Sequence, residues 1–405
     1  MQGNINNKLM IFMIVSFLAF LFVCLGYSPL LATTVIILVM AIFPLKSFPV
    51  RVGLVLILLF SLALQISSRQ IFSNTADDFS NVYTVVYDNI VNKNRSPFSD
   101  FFTGGIEFGV PVLFKLLSML FGRQNFQELM FFIVFINCFV FYLWLEYFAK
   151  KNVQSFDISF FIAVSIFVFS VAVTSQLIRQ SFSTCFLLFA ITFYREGKKS
   201  YILFLFVAFI FHVTALPFFF LYNVISGDNE KKKKVIAILL FLFSASFLSI
   251  ATFLYGSGAL GSATYKLEYY LTGGGVDQKL TIDGLKFVAG NFFFAYFLMN
   301  KDKYSVAWNF IKYGFIYYVL LIPIPLASER GLLLIVTFLP GVLLYFAFTS
   351  HRWMLKCLFV LFVFAKFIKT GFLYSASSSN VFNLWYYYPW ASDDFYYFLN
   401  AFNWL

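Results

Sequence analysis

The chain has 405 residues, of which 61% are hydrophobic and only 12% are charged, and its formal net charge at pH 7 is +11. Soluble domains carry about 25% charged residues, so this composition excludes an ordinary soluble protein. The basic residues form short clusters between apolar runs, which is typical of the loops of a membrane protein. We therefore predict an integral membrane protein and exclude nucleic acid as a partner, because no soluble basic domain is present to bind it.

Apolar runs recur along the whole chain and predict membrane helices, because one span needs about 20 mainly apolar residues. Together they predict an all-α, multi-pass membrane fold with about 11–13 membrane helices, including re-entrant or interfacial segments. The candidate spans are 9–25, 29–45, 50–66, 128–148, 156–175, 181–194, 235–255, 286–300, 306–326, 331–349 and 354–372.

The basic clusters predict the topology, because Lys and Arg accumulate in the loops on the cytoplasmic side. With the N-terminus inside, the cytoplasmic loops hold a clear excess of basic over acidic residues. A single membrane domain over 1–405 then has two long outer segments, 67–127 and 256–285, and an aromatic outer tail, 373–405, on the membrane surface. The clusters assigned to the inside are Lys8; Lys46 and Arg51; Lys150 and Lys151; Arg195, Lys198 and Lys199; Lys231 to Lys234; Lys301 and Lys303; and Arg352 and Lys356.

Two further apolar runs do not fit this topology as ordinary spans. The run 108–122 starts and ends outside and has Lys115 in its middle, so we predict an interfacial or re-entrant helix. The run 201–225 lies between two cytoplasmic clusters, and its centre, 211–217, contains a histidine, a threonine and a proline. This pattern predicts a broken helix pair that enters the membrane and returns, with one ordinary span as the alternative.

Rare polar residues gather at the outer ends of the predicted spans. Charge beside a membrane span is by default a sign of function, although none of these residues forms a specific motif alone. Under the predicted topology they come from separate stretches and converge on one face of the membrane. They are Asp77, Asp78, Glu107, Arg179, Gln180, His212, Glu329 and Arg330.

The two outer arginines are candidates for binding phosphate. The guanidinium fork of Arg binds phosphate bidentately, which suits both Arg179 and Arg330. The alternatives are that these side chains extend to the membrane surface or set the topology, and that Glu329 and Arg330 simply pair with each other.

Three side chains are candidates for a general base, namely Glu107, His212 and Asp78. Glu107 has a structural alternative, since an acid at the start of 108–122 favours the helix N-terminus. The structural alternative for His212 is that it only packs and forms hydrogen bonds inside the protein. No His or Cys residues stand at metal-binding spacings, so we expect no metal and no cofactor. The adjacent carboxylates of Asp77 and Asp78 are the alternative, since two carboxylates could bind a cation.

The order of these short stretches resembles a known family. An Asp-Asp-Phe stretch with Tyr83 is followed by Glu107-Phe108-Gly109, Ile178-Arg179-Gln180, Phe211-His212-Val213-Thr214-Ala215-Leu216 and an outer Arg330. Over roughly residues 60–340 this pattern is similar to the EpsG-like family of bacterial polysaccharide polymerases, within the wider group of Wzy O-antigen and capsule polymerases.

The resemblance implies a multi-pass enzyme of the bacterial inner membrane with a GT-C-like fold and an active site facing the periplasm. Such a glycosyltransferase joins undecaprenyl-diphosphate-linked oligosaccharide repeat units and uses neither a metal nor a nucleotide sugar. Membrane lipid, a chain-length regulator and a flippase are its implied partners.

The resemblance also gives the polar residues expected roles. Arg179 and Arg330 would bind the diphosphate leaving group, and the base would be Glu107, then His212, then Asp78. Weaker substrate contacts are expected from Tyr83 and from Asp77, Gln180 and Glu329.

Two other functions compete with the polymerase. A flippase or transporter for lipid-linked sugar favours an internal repeat and charges in a mid-membrane cavity, whereas this chain has no strong repeat and its charges gather at one end. An O-antigen ligase or another membrane transferase is the second alternative. A ligase typically has a longer outer loop with basic and His residues, and an acyltransferase needs a deeper histidine.

Overall fold

The structure, a computed structural model, describes residues 16–68, 77–257, 278–324, 326–371, 373 and 395–396. Within these ranges every regular element is a helix, which confirms the all-α prediction. The described residues fall into two compact units, 1–213 with 356–405, and 214–355. The expectation of a single membrane domain stays a prediction.

The first unit contains the residues around Glu107, Arg179 and His212. Its longest helix is Phe126–Asn152, and several shorter helices precede and follow it in the chain. The helices are Ser16–Tyr27, Pro29–Ile42, Phe48–Ser67, Thr84–Val91, Gly109–Phe121, Phe126–Asn152, Ile158–Val168, Ala172–Gln176, Ile178–Arg195 and Tyr201–Phe211, with a π-helical turn at Phe79–Tyr83.

The second unit is built of six α-helices and a π-helical turn in its described part. They are Ala215–Ser226, Glu230–Ser257, Gln278–Leu298, Ser305–Leu321, Ala327–Gly331, Leu334–Phe338 and Pro340–Ala347. The helix Arg352–Thr370 begins at the end of this unit, and its residues from Lys356 onward belong to the first.

Among the described residues, two helices are long and apolar enough to cross a membrane, Phe48–Ser67 and Phe126–Asn152. A third joins them if Glu230–Phe247 and Ser249–Ser257, bent by 54°, form one span. The structure therefore supports fewer uninterrupted spans than the sequence predicted, and the number of crossings stays a prediction. Shorter apolar helices occupy several predicted spans: Ser16–Tyr27, Pro29–Ile42, Ile158–Val168 and Gly284–Leu298.

Breaks inside apolar runs account for this difference. The predicted span 156–175 divides after Val168, where Phe169 adopts an extended conformation. The predicted span 331–349 divides at Pro340, which lacks the N–H that a continuous helix would need and instead starts a new helix. A sliding-window hydropathy plot detects neither break, because both runs stay apolar throughout.

The run 108–122 forms the short helix Gly109–Phe121. Its 13 residues span about 20 Å at 1.5 Å per residue, less than the roughly 30 Å of a hydrocarbon core. The helix buries Val110 and Phe114, and leaves Met119 and Leu120 exposed. A helix too short to cross agrees with the expected interfacial or re-entrant segment, whose place at the membrane surface stays a prediction.

The run 201–225 breaks where its polar centre predicts. The first helix ends at Phe211, His212 is extended with φ −157° and ψ 124°, and the next helix begins at Ala215. Pro217 lies in the first turn of that helix, where its missing N–H has no helical partner to lose. Whether the two helices return to the same side stays a prediction.

Parts of the predicted outer segments lie outside the described residues. These are 69–76 in the segment 67–127, 258–277 in the segment 256–285, and most of the tail 373–405. Helices extend to Ser257 on one side of the second gap and begin at Gln278 on the other. The first 15 residues, which include the start of the predicted span 9–25, are likewise outside.

A buried ion pair joins the two long apolar helices at their predicted cytoplasmic ends. Arg51 bonds to Glu146, and the two side chains are only 3% and 5% exposed. Arg51 also donates to the backbone carbonyls of Leu45 and Lys46, each at 2.8 Å. Its charge is thus neutralised and its donors are used, which is the condition under which a buried pair is tolerated.

We predict that Arg51→Met lowers the free energy of unfolding by about 3–5 kcal/mol, because it leaves the Glu146 carboxylate buried and unpaired. Thermal unfolding of the purified protein in detergent measures the effect. Lys93→Met is the control, since Lys93 pairs with Asp88 at the surface and such pairs contribute about 0–1 kcal/mol. Equal unfolding midpoints for the two variants would show that the Arg51 pair does not hold the helices.

Candidate active site

Three groups from two separate stretches of the first unit meet at the carboxylate of Glu107. Arg179 Nη1 forms a salt bridge with Oε2. His212 Nδ1 lies 2.7 Å from Oε1, and the backbone N–H of Val213 donates to the same oxygen at 3.0 Å. The structure therefore brings together three of the residues selected from the sequence, although up to 105 positions separate them along the chain.

The local backbone explains how each group reaches this point. Arg179 is the second residue of its helix, and Glu107 lies in the loop before the helix Gly109–Phe121. His212 follows the last residue of its helix in an extended conformation, which directs its ring and the next N–H toward Glu107. The N-cap of the helix Gly109–Phe121 is Phe108, and the Glu107 oxygens bond to Arg179, His212 and Val213, so Glu107 makes no capping hydrogen bond to this helix.

Burial and charge set the state of the Glu107 carboxylate. Its side chain is 0% exposed, whereas the side chains of Arg179 and His212 are 28% and 22% exposed. Burial raises the pKa of Glu107, but hydrogen bonds from His212 and Val213 and the charges of His212 and Arg179 outweigh it and lower the pKa to about 2. Glu107 is therefore an ionised, shielded anchor with two partly exposed partners.

The ionised carboxylate determines which nitrogen of His212 carries the proton. A carboxylate only accepts hydrogen bonds, so Nδ1 is the donor toward Glu107. In the neutral ring, Nε2 is then the nitrogen with a lone pair. A histidine held by a carboxylate in this manner presents Nε2 as an acceptor of protons, in the arrangement that orients catalytic histidines.

Arg179 is held on several sides. Its guanidinium carbon lies 4.2 Å from the ring centroid of Phe102, and the guanidinium donates a hydrogen bond to the Tyr83 hydroxyl oxygen. Burial raises the pKa of the Tyr83 hydroxyl, and the charge of Arg179 offsets part of that rise. Arg179 Nε is buried without a hydrogen-bond partner among the described residues. These contacts fix the plane of the guanidinium, and 28% of the Arg179 side chain stays exposed.

The neighbouring acids differ in their surroundings. Asp77 is fully buried, and its Oδ1 accepts hydrogen bonds from the Phe79 N–H at 3.0 Å and from Gln176 Nε2 at 3.1 Å. Asp78 is only half-buried, and its charge acts on the Tyr83 hydroxyl. Asp77 thus ties its loop to the helical turn before Arg179, whereas Asp78 lies at the edge of the cluster.

The other predicted residues have separate surroundings. Gln180 is buried beside Arg179 on the same helix. Glu329 and Arg330 belong to the second unit, where Glu329 accepts hydrogen bonds from the hydroxyls of Tyr318 at 3.2 Å and Ser328 at 3.0 Å, and Arg330 is exposed. Their expected meeting with the first-unit cluster stays a prediction.

Three contributors were missing from the sequence analysis: Phe102, Gln176 and the Val213 N–H. A signal existed for Gln176, because it precedes Arg179 by three positions and lies in the adjoining helical turn. The backbone N–H has no such signal, since every residue type except proline supplies one. Within the described ranges, no group of three or more His, Cys, Asp or Glu residues forms a possible metal site.

Comparison with known proteins gives one family. No curated protein and no solved structure matches the chain significantly. The sequence profile of the EpsG family matches residues 52–388, which include the whole Glu107 cluster. Because this match covers most of the 405 residues, the chain belongs to the EpsG family.

Proposed function

We propose that this protein is a surface-polysaccharide polymerase, a metal-independent glycosyltransferase that joins undecaprenyl-diphosphate-linked oligosaccharide repeat units. The proposed location is the bacterial inner membrane, with the site facing the periplasm. Membership in the EpsG family supports a polymerase-like activity. The observation that carries the chemistry is the buried Glu107 carboxylate, which holds a partly exposed histidine and a partly exposed arginine together.

The proposed reaction uses these two exposed groups in one displacement. An acceptor hydroxyl on the next repeat unit transfers its proton to His212 Nε2, and its oxygen bonds to the anomeric carbon of the growing chain. The bond from that carbon to the diphosphate oxygen breaks, and undecaprenyl diphosphate leaves with the electron pair. Arg179 stabilises the charge that develops on it, and Arg330 stays the second candidate for the same role. A direct displacement inverts the anomeric configuration.

The contacts favour His212 over Glu107 as the base, although Glu107 was the first expectation. The Glu107 carboxylate is fully buried, accepts hydrogen bonds from three donors and has a pKa of about 2. Such a group binds a proton weakly and does not reach a substrate hydroxyl. Glu107 instead acts as a positioning residue that fixes the tautomer of His212 and the direction of Arg179. Asp78 is the remaining candidate for the base.

A gel of surface glycolipid from a strain that lacks the gene distinguishes the functions. Loss of a polymerase leaves core with one repeat unit, and loss of a ligase leaves core alone with polymer still on the lipid. Loss of a flippase removes surface repeats altogether. The first pattern supports the proposal, and either of the others overturns it. A chain-length regulator and a flippase are the proposed partners in the membrane.

We expect His212→Asn to lower the rate of polymerisation by roughly 10²–10⁴-fold, the usual contribution of a general base. The Asn amide still donates to Glu107 in place of Nδ1, so the fold of the cluster is retained. The assay uses purified enzyme and synthetic lipid-diphosphate repeat units.

His351→Asn is the matched control for that experiment, because His351 is the other histidine of the chain and is exposed in the second unit. If the His212 and His351 variants polymerise at the same rate, His212 is not the base. Asp78→Asn in the same assay then tests the remaining candidate.

Arg179→Lys should lower the catalytic rate by about 10²-fold even though the charge is kept, as expected when a preorganised donor to the developing charge is lost. Lys cannot reproduce the bidentate fork or the stacking on Phe102. The control is Arg123→Lys, an exposed arginine in the predicted outer segment 67–127. Equal activity of both variants would contradict a role for Arg179 at the diphosphate.

A further inference from the structure

The hydrogen bond between Glu107 and His212 joins the beginning of one helix to the end of another, and two neighbouring residues make direct contact beside it. Gly109 follows Glu107 by two positions, and Phe211 immediately precedes His212. A Cβ atom built on Gly109 would lie 2.8 Å from Cγ of Phe211 and 3.0 Å from both of its Cδ atoms. The Phe211 ring therefore occupies the space that any side chain at position 109 would need.

The backbone of Gly109 gives no other reason for glycine. Gly104, Gly105, Gly122 and Gly197 have positive φ angles, which L-residues rarely adopt, and Gly109 is not among them. Gly109 instead starts a regular α-helix, a position that most residue types accept. The position thus requires glycine because the Phe211 ring approaches the Gly109 backbone closely.

The Phe211 ring is also held from its other side. It stacks on Phe182, with centroids 5.0 Å apart and an interplanar angle of 18°, and on Phe186, at 5.6 Å and 21°. Both rings belong to the helix Ile178–Arg195, which carries Arg179 at its start. A larger residue at position 109 would push Phe211 against rings that cannot give way without disturbing that helix.

We propose that Gly109 is a positioning residue: its missing side chain lets Phe211 pack against the helix start, and this packing sets the position of His212 relative to Glu107. The role in catalysis rests on the proposed function of His212. Phe211 is the last helical residue and His212 follows it directly, so a displacement of one moves the other. A shift of about 1 Å in a catalytic group can lower a rate about 10²-fold.

The first test is Gly109→Ala in the polymerisation assay. We expect a loss of rate of about 10²-fold, and recovery of most of it when Phe211→Leu is added, because Leu lacks the ring atoms that the new methyl meets. Gly53→Ala is the control: it makes the same change in a helix where no atom lies within 4 Å of the new Cβ. Activity of Gly109→Ala equal to that of Gly53→Ala, or no recovery in the double variant, would overturn the proposal.

The second test observes His212 without reference to activity. The chain has two histidines, so in a His351→Asn background ¹⁵N-histidine NMR reports only His212. In the neutral form of the ring, we expect the proton to be on Nδ1 in the parent protein. Gly109→Ala should shift these resonances or mix the tautomers, and addition of Phe211→Leu should restore them. An unchanged spectrum in Gly109→Ala would show that Gly109 does not position the His212 ring, and would overturn the proposal.

The two tests separate the inference from the proposed function. A displaced His212 signal in Gly109→Ala, combined with full activity of His212→Asn, would overturn the catalytic role and leave the positioning in place. If Gly109→Ala does not accumulate in the membrane, the test becomes whether the double variant, Gly109→Ala with Phe211→Leu, accumulates there. Recovery of its accumulation and of the His212 spectrum by Phe211→Leu supports the packing argument, and failure to recover either one overturns it.

Discussion

The burial of one negative charge, that of Glu107, organises the first unit around its polar cluster. A buried carboxylate must be hydrogen-bonded and neutralised or it becomes very costly. Glu107 meets this condition through donors from two distant stretches of chain, an arginine and a histidine with its following N–H. The pair Arg51–Glu146 obeys the same rule, but both of its members are buried. In the Glu107 cluster, by contrast, Arg179 and His212 stay partly exposed, and the proposed function assigns the chemistry to these two.

Much of this cluster was predictable, because charge is rare in the chain and each charged side chain beside an apolar run is conspicuous. Arg179, Glu107 and His212 were selected in this manner, and they lie together. Their division of roles was not predictable. The place of Glu107 before a helix predicts an accessible base, yet the depth of its burial depends on tertiary packing. The contribution of Phe102 was hidden for a related reason, since it is one of 61 phenylalanines in the chain.

The fold was predictable at the level of helix and apolar run, and less so at the level of the single span. Composition and hydropathy establish an all-α protein, and the polar centre of 201–225 predicts the break at His212. Interruptions such as those at Phe169 and Pro340 escape a hydropathy window, because they change the backbone and leave the apolar character intact. The short helix Gly109–Phe121 was recognised through Lys115, a charge that does not suit the middle of a span.

The low pKa of Glu107 has a consequence for the environments that the proposed site tolerates. The folded pKa lies well below the usual value for glutamate, so the stabilisation from this carboxylate is complete above about pH 4.5 and is lost only as the pH falls toward 2. A site that faces the outside of the cytoplasmic membrane experiences the acidity of the surrounding medium. The anchor of this cluster therefore keeps its charge through acid exposures that would protonate an ordinary surface carboxylate.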